Sequence, residues 1–268
     1  MAESPAVVIA TNDDGGRLVP TVRRLRALPE DPPVVIVDTG SPADLQALWP
    51  GDPGVTVLLA APGAGSTART VGLEHTDRQV VAFCDDDSWF APGSLARAAA
   101  RFAAEPRLGL LQARVLVGAR QRLDPVCAQL AGAPAVLGFV ACGVVVRRRA
   151  LLGTGGFPPG YGFGGEERPV ALDLAAAGWQ LLYDASVVAH HHPAPSPRRA
   201  GRPIRAARND LWTAWTRLPL GLAARETAGV TRARPRALAA ALRGLPGALR
   251  RRRPVPSHVA DAFRAVRR

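Results

Sequence analysis

Short apolar runs alternate with longer amphipathic stretches through the first hundred residues. Ala6–Ala10, Val34–Val37, Val55–Leu59 and Val80–Cys84 are runs rich in β-branched side chains, the pattern of strands buried on both faces. Leu18–Leu28, Pro42–Leu48 and Thr67–His75 lie between them and suit helices. Strands alternating with helices predict parallel βαβ units, whose ligands bind beyond the carboxyl ends of the strands. Thr11–Asp14, Asp38–Ser41 and Asp85–Asp87 all fall at such ends, and that coincidence is the first functional signal.

Further along, Pro92–Ala104 reads as a helix, Leu108–Val117 as extended chain, and Val136–Val146 as a loop and buried strand. The interval Pro125–Val146 carries no charge. Prolines and glycines interrupt it too often for a membrane span, which needs roughly 20 predominantly apolar residues. Gly153–Gly165 reads as a flexible loop rich in glycine and proline, and Arg168–Ala177 as a helix ended by Gly178. Trp179–Tyr183 and Val187–Ala189 are short extended pieces, and Pro193–Pro203 is a linker. From Ile204 onward, helical stretches are broken by Pro219, Pro235, Pro246 and Pro254. The expected division is an α/β domain over residues 1–197 and a mostly helical extension over 198–268.

Charge sharpens that division. The chain has no lysine, and its 34 basic residues are all arginine. Residues 1–197 hold 16 Arg against 19 Asp and Glu, a net of −3, whereas residues 198–268 hold 18 Arg against 3, a net of +15. A basic tail points to an anionic partner such as lipid headgroups, nucleic acid or a phosphorylated substrate. Within it, Leu211, Trp215 and Leu218 share one face of a helix with Trp212 beside it, and arginines flank them. Such a helix suits either an anionic membrane surface or packing on the preceding domain. Cys84, Cys127 and Cys142 show no CxxC spacing, which argues against a zinc site or disulfide framework and for a reducing cytoplasm. The opening residues read as a first strand and not as a signal peptide.

The candidate chemistry clusters at strand ends. Asp85 and Asp87 flank one residue after a buried strand, and residues i and i+2 of a strand point the same way. Two carboxylates so placed can hold Mg²⁺ or Mn²⁺, with Asp86 directed elsewhere. Gly63 and Gly65 allow close backbone approach to an anion ahead of a helix, and Arg69 can pair with a phosphate. Asp38 closes an Asx-turn or accepts from a nucleotide base. Glu166 and Glu167 are either general bases or first-turn helix acids. Trp89 and Tyr161 either stack on sugar rings or, as lone aromatics more often do, belong to the core.

Four segments together resemble one family. AVVIATNDDGG at 6–16 with VVIVDTGS at 34–41, APGAGSTARTVGL at 61–73, VVAFCDDDSWFAPGSL at 80–95, and GGFPPGYGFGGEE at 155–167 followed by AAGWQLLYDASVVAHHH are similar, in order and spacing, to family-2 glycosyltransferases of the GT-A fold. Arg208, Asn209 and Trp212 match a stretch that follows the histidines in bacterial members. Asn12–Asp14, Thr39, Thr70 and the Glu-Glu pair depart from the family's commoner residues. The resemblance implies an α/β fold, a Rossmann-like mixed sheet with flanking helices. It implies sugar transfer, usually with inversion, from a nucleotide-diphosphate sugar, UDP- or dTDP-linked, to a hydroxyl acceptor of unknown kind. It further implies that Asp38 and Thr11 hold the nucleotide, Asp86 the ribose, and Asp85 and Asp87 with His190 the metal. Glu167 takes the position of the base, with Glu166 assisting. The protein is then expected in the cytoplasm, peripheral on the inner face of the membrane through its tail, with nucleic acid not the expected partner. A nucleotidyltransferase and a non-catalytic or degenerate transferase that binds anionic membrane or nucleic acid are the alternative readings.

Overall fold

The computed structural model describes residues 3–13, 15–193 and 201–266; Asp14 and most of the predicted linker lie outside the described residues. Four parallel strands form one half of the sheet: β1 (Ala6–Thr11), β2 (Val34–Asp38), β3 (Val55–Leu59) and β4 (Val80–Cys84). Between them come α1 (Leu18–Arg26) and α2 (Thr67–His75). β1 is buried along its whole length, as its unbroken apolar run requires of a central strand covered on both sides. The stretch expected as a helix at 42–48 forms only a 3-10 turn at Gln46–Leu48. There Ser41 Oγ accepts from the Ala43 N–H and Asp44 Oδ1 from the Gln46 N–H, and such local bonds compete with a helix.

The second half of the sheet is mixed. Chain order gives β5 (Ser88–Phe90), α3 (Ser94–Ala104), β6 (Leu108–Val117), β7 (Arg122–Leu123), α4 (Pro125–Ala131), β8 (Val144–Arg147), α5 (Arg148–Gly153), α6 (Glu167–Ala176) and β9 (Gln180–His191). The strand order is β3-β2-β1-β4-β8-β6-β9-β5, with β7 on β6. β9 unites the two predicted extended pieces. Its register against β6 jumps between Ala113 and Arg114, where Asp184 Oδ1 accepts from both the amide and the hydroxyl of Ser186. Of the apolar run 136–146 only the end is strand. Buried Gln112 accepts from the Val140 N–H at 2.6 Å and donates to the Gly143 carbonyl at 3.0 Å, which holds the preceding residues in an irregular path. Asp124 caps α4 by accepting from the Val126 and Cys127 amides, with Pro125 in the first turn.

α1 and α3 cover one face of the sheet through Leu18, Val22, Leu25, Leu95 and Phe102. α2, α5 and α6 cover the other through Ala68, Leu73, Leu151, Val170 and Leu174. The tail is helical, as expected: α7 (Arg202–Arg217), α8 (Leu220–Ala233), α9 (Pro235–Leu242), α10 (Leu245–Arg250) and α11 (Ser257–Val266). Pro235 and Pro246 stand in first turns, where a missing N–H costs nothing, and so begin helices instead of breaking them. A third apolar cluster joins Leu172 of α6 to Leu218, Leu222, Val259 and Phe263 of the tail. The apolar face of α7 is therefore spent inside the molecule. Leu211 and Leu218 are buried, Trp212 donates to the Ala241 carbonyl and Trp215 to Thr227, so this face is not the one available to a membrane. No helix among the described residues is long and apolar enough to cross a membrane.

Candidate functional site

β4 ends at Cys84, and the acidic triplet lies in the turn before β5. Ser88 Oγ accepts from the Asp85 N–H at 2.8 Å and fixes that turn. It sends the three carboxylates different ways. Asp85 faces Arg69 (2.7 Å). Asp86 accepts from Thr11 Oγ1 (2.9 Å) and from Arg17 (3.2 Å). Asp87, buried, faces His191 Nε2 at 3.3 Å. Asp85 and Asp87 converge on one imidazole, because a His191 ring nitrogen also lies within 4.8 Å of an Asp85 carboxylate oxygen. The convergence comes from a turn, not from strand alternation. Burial raises the Asp85 pKa most, but the Arg69 guanidinium, together with His191 and Arg202, outweighs it and holds the carboxyl below its ordinary value. Asp86 has no such excess of cations: burial, with Asp87 and Asp85 alongside, pushes it up to about 6 against Thr11 and Arg17.

The histidine assignment needs correction. β5 pairs with β9 so that Ser88 opposes His191 and Trp89 opposes His190. His190 and His192 share one face and pack on the Trp89 ring, whose other contact is Arg24 at 4.4 Å. His191, on the opposite face, is the histidine at the aspartates. The ligand atoms of Asp85, Cys142 and His191 lie within 4.8 Å of one another. Burial, and then the charge of Asp85, push the Cys142 thiol well up, so it stands there as a neutral neighbour.

Arg69 also behaves otherwise than expected. It is 2% exposed and inaccessible to a diphosphate. Its guanidinium lies 5.5 Å and 5.1 Å from the rings of Phe157 and Phe163, with one nitrogen on Asp85 and another on Glu166 Oε1 at 3.2 Å. One buried cation thus ties the acidic turn to the paired glutamates. Glu166 is 1% exposed and also accepts from the Gly164 N–H, so it is shut away from any acceptor. Glu167 is half-buried and accepts from the Gly165 N–H through Oε2 at 3.1 Å. Burial, and then the neighbouring Glu166 charge, push its carboxyl up to about 8, against Arg69 and Arg202.

At the remaining strand ends, Asp38 Oδ1 closes an Asx-turn on the amides of Gly40 and Ser41, and Thr11 lies opposite Asp38 in the β1–β2 register. Gly63 and Gly65 both have positive φ. A Cβ on Gly65 would come within 2.8 Å of Gly162 Cα, so this glycine serves the approach of two loops rather than of a phosphate. The glycine-rich loop at 153–165 is irregular but pinned. Asn209, fully buried, donates to the Tyr161 and Gly164 carbonyls, Arg208 to those of Gly160 and Tyr161, and Arg205 to that of Phe163. Tyr161 is core, with its hydroxyl on Thr213. Sequence reasoning weighed His190, His191 and His192 together and favoured His190; it missed the place of Cys142 and Arg17 at the site and the capping role of Asp13, whose Oδ1 accepts from the amides of Gly15, Arg17 and Leu18. An Asp ahead of an apolar-periodic helix was the available signal for the last.

Residues 6–129 match the family described as Glycosyl transferase family 2, which bears out the resemblance. No curated protein matches the chain. Among solved structures, the S. aureus TarS 1-349 fragment superposes with a TM-score of 0.60 at 16% identity, over 79% of this chain and 64% of that one. The mannosyltransferase PcManGT from Pyrobaculum calidifontis, in complex with GDP-Man and Mn²⁺, gives 0.61 at 20% identity, over 98% and 75%. GalNAc-T7 with UDP, GalNAc and Mn²⁺ gives 0.64 at 16%, over 87% and 51%. The chain thus spans just under two thirds of the TarS fragment and half of GalNAc-T7. These likenesses establish the fold as GT-A.

Proposed function

We propose that this chain, with a family-2 glycosyltransferase segment on a GT-A fold, moves a sugar from a nucleotide-diphosphate sugar to a hydroxyl acceptor by direct, inverting displacement. The observation that carries the reading is the Arg69 bridge: it ties Asp85 of the acidic turn to Glu166, 81 residues away in sequence and next to Glu167. Glu167 takes the acceptor hydroxyl proton, the acceptor oxygen bonds to the anomeric carbon, and the bond from that carbon to the diphosphate oxygen breaks. Glu166 and Arg69 keep the base in place. Asp38 and Thr11, side by side at the ends of β2 and β1, hold the nucleotide, with Asp86 toward its ribose. UDP- or dTDP-sugars are the donors favoured by the residues; a related solved structure holds UDP-GlcNAc.

Asp85, Asp87 and His191 offer carboxylate oxygens and an imidazole nitrogen, which suit Mg²⁺ or Mn²⁺, and two of the similar structures hold Mn²⁺. Such a cation supplies neutralisation of the departing diphosphate. A nucleotidyltransferase fits less well, because the amides at the start of α1 are taken by Asp13 and not left for a triphosphate. The retained Glu167, Asp85 and Asp87 favour an enzyme over a degenerate binding protein.

The test is a panel of UDP-, dTDP- and GDP-sugars, each with Mn²⁺, with Mg²⁺ and with EDTA. One donor is expected to raise the melting temperature with metal and not with EDTA, and to release its nucleotide diphosphate. Absence of any donor-dependent shift or release in every metal would sink the reading. We also infer that the tail places the protein peripherally on an anionic, cytoplasmic leaflet, through α8–α10 and not through α7. Leu220, Leu242 and Leu249 stand exposed there among arginines.

A further inference from the structure

The uncharged interval 125–146 has no part in the chemistry above, yet it delivers a thiol to the acidic turn. Gln112 of β6 holds its end in place, accepting from the Val140 N–H and donating to the Gly143 carbonyl. Between these two points Ala141–Gly143 closes into a 3-10 turn. Gly143 lets the turn lie close on the sheet, since a Cβ there would come within 2.6 Å of Val115 Cγ2 and 3.1 Å of Ala189 Cβ. Buried Cys142 is carried by that turn. Its Sγ, a carboxylate oxygen of Asp85 and a ring nitrogen of His191 all lie within 4.8 Å of one another. Three separate constraints bring them together: the Gln112 clamp for Cys142, the Ser88 turn for Asp85 and the β5–β9 register for His191. Cys84 and Cys127 are buried too but stand outside the set. Asp85 and Cys142 are 57 residues apart and Cys142 and His191 are 49 apart, which is why no CxxC-type spacing announces them.

Sulfur, imidazole nitrogen and carboxylate oxygen together make a softer donor set than Mg²⁺ or Mn²⁺ asks for. Those ions favour oxygen, whereas sulfur beside nitrogen suits Zn²⁺. Three protein ligands leave one position of a tetrahedron open, the arrangement of catalytic Zn²⁺ sites. Zn²⁺ bonds of about 2.0–2.3 Å put tetrahedral neighbours roughly 3.3–3.6 Å apart. From spacings of at most 4.8 Å the three atoms therefore close by no more than about 1.5 Å. We propose that Cys142 is a ligand of this centre and that its sulfur makes the centre prefer Zn²⁺ to Mg²⁺ and Mn²⁺. The proposal rests on the transferase reading for the cation's place and adds to it a ligand and a selectivity. The thiol proton leaves to solvent as the sulfur–metal bond forms, and no electron is transferred.

The full chain, stripped of metal with EDTA and dialysed, is titrated with Co²⁺ in oxygen-free buffer. Co²⁺ stands in for Zn²⁺ and reports a thiolate ligand by a near-ultraviolet charge-transfer band. The band is expected in the parent and in the Cys84→Ser/Cys127→Ser double variant, which keeps Cys142 as its one cysteine. It is expected to vanish in Cys142→Ser, in Cys142→Ala and in His191→Ala. Zn²⁺ affinity is read by competition with a chromophoric chelator and Mn²⁺ affinity by electron paramagnetic resonance. Each Cys142 variant should weaken Zn²⁺ binding by at least about tenfold, since even outer partners of metal ligands are worth about 10–100-fold. Mn²⁺ binding should change by less than about twofold, because Mn²⁺ draws little from sulfur. The proposal is overturned if parent and double variant both lack the band, if a folded Cys142 or His191 variant keeps it, or if a folded Cys142 variant binds Zn²⁺ as tightly as the parent. None of these measurements uses a donor. Failure of the transferase reading shows differently, as a parent with the sulfur band and the Zn²⁺ preference but no donor-induced thermal shift in Mg²⁺, Mn²⁺ or Zn²⁺.

Discussion

Glu166 and Glu167 are neighbours in sequence with opposite surroundings. Arg69 and the Gly164 amide enclose Glu166, while Glu167 opens onto a cavity whose lining also carries Gln129, Arg168 and Asp210. Around Glu167 lie Glu166 and, as counter-charges, Arg69, Arg202 and the Arg168–Asp210 pair. Its carboxyl is raised to about 8 by burial and then by Glu166, so the base form accumulates only as pH rises through that value. Transfer rate should climb through about pH 8, and Glu167→Gln should lose roughly 10²-fold or more in kcat together with that limb. Donor-induced thermal stabilisation should stay. A variant that keeps the rising limb would assign the base elsewhere. Asp87→Asn should abolish the metal-dependent tightening of nucleotide binding; a titration with unchanged metal dependence would remove Asp87 from the metal set. Arg69→Met leaves the buried Glu166 without its partner, and removal of one member of a buried pair costs about 3–5 kcal/mol. Denaturant unfolding should show a loss of that size, and a loss below 1 kcal/mol, typical of exposed pairs, would show that Arg69 is not the bridge described.

At the scale of elements, legibility followed burial. β1, β2 and β4 are buried strands, so their apolar runs could be read directly. β5 has three residues, too few for any period, yet its pairing decides which histidine faces the aspartates. Alternation along His190–His192 says that His190 and His192 share a side; only the β5 register says that the other side is the site. The Arg69 bridge was illegible for a related reason, since it joins residues 97 apart through contacts that no local pattern encodes. The Glu-Glu pair and the acidic triplet were legible because their position after a strand or a glycine loop marks them. The clamp on the 153–165 loop belongs to this scale too. Asn209→Ala removes two of the side-chain bonds from α7 to the loop carbonyls, the two that are fully buried, a loss of about 1–3 kcal/mol for a buried group left unpaired. Amide exchange at 160–165 should quicken while β1–β4 stay protected, and unchanged exchange there would show that the loop is held by other contacts.

Over the whole molecule, charge is the most uneven property. Residues 227–260 contain eight arginines and no acidic residue, and all of these arginines except Arg252 are exposed. Arg252 instead donates to the Trp215 and Leu218 carbonyls and stitches the tail to α7. Leu242 and Leu249 are about half exposed in the same stretch, an arrangement of arginine and leucine that suits the interface of a bilayer. Each basic residue near an anionic surface contributes about 1 kcal/mol, so the proposed attachment is expected to depend on the exposed arginines. Truncating the tail is the wrong test, because α7 clamps the loop and α11 packs on α6. Point changes keep the fold: Arg243→Glu with Arg250→Glu for charge, and Leu249→Glu for insertion. The parent should float with vesicles containing phosphatidylserine and not with pure phosphatidylcholine, and raised salt should release it, since screening shortens to a few ångströms at high ionic strength. The double arginine variant should lose most of the binding and the leucine variant part of it. Equal flotation on both lipids, or an unaffected double variant, would rule out electrostatic attachment, and tighter binding of the parent to nucleic acid than to anionic vesicles would give the arginines a different partner.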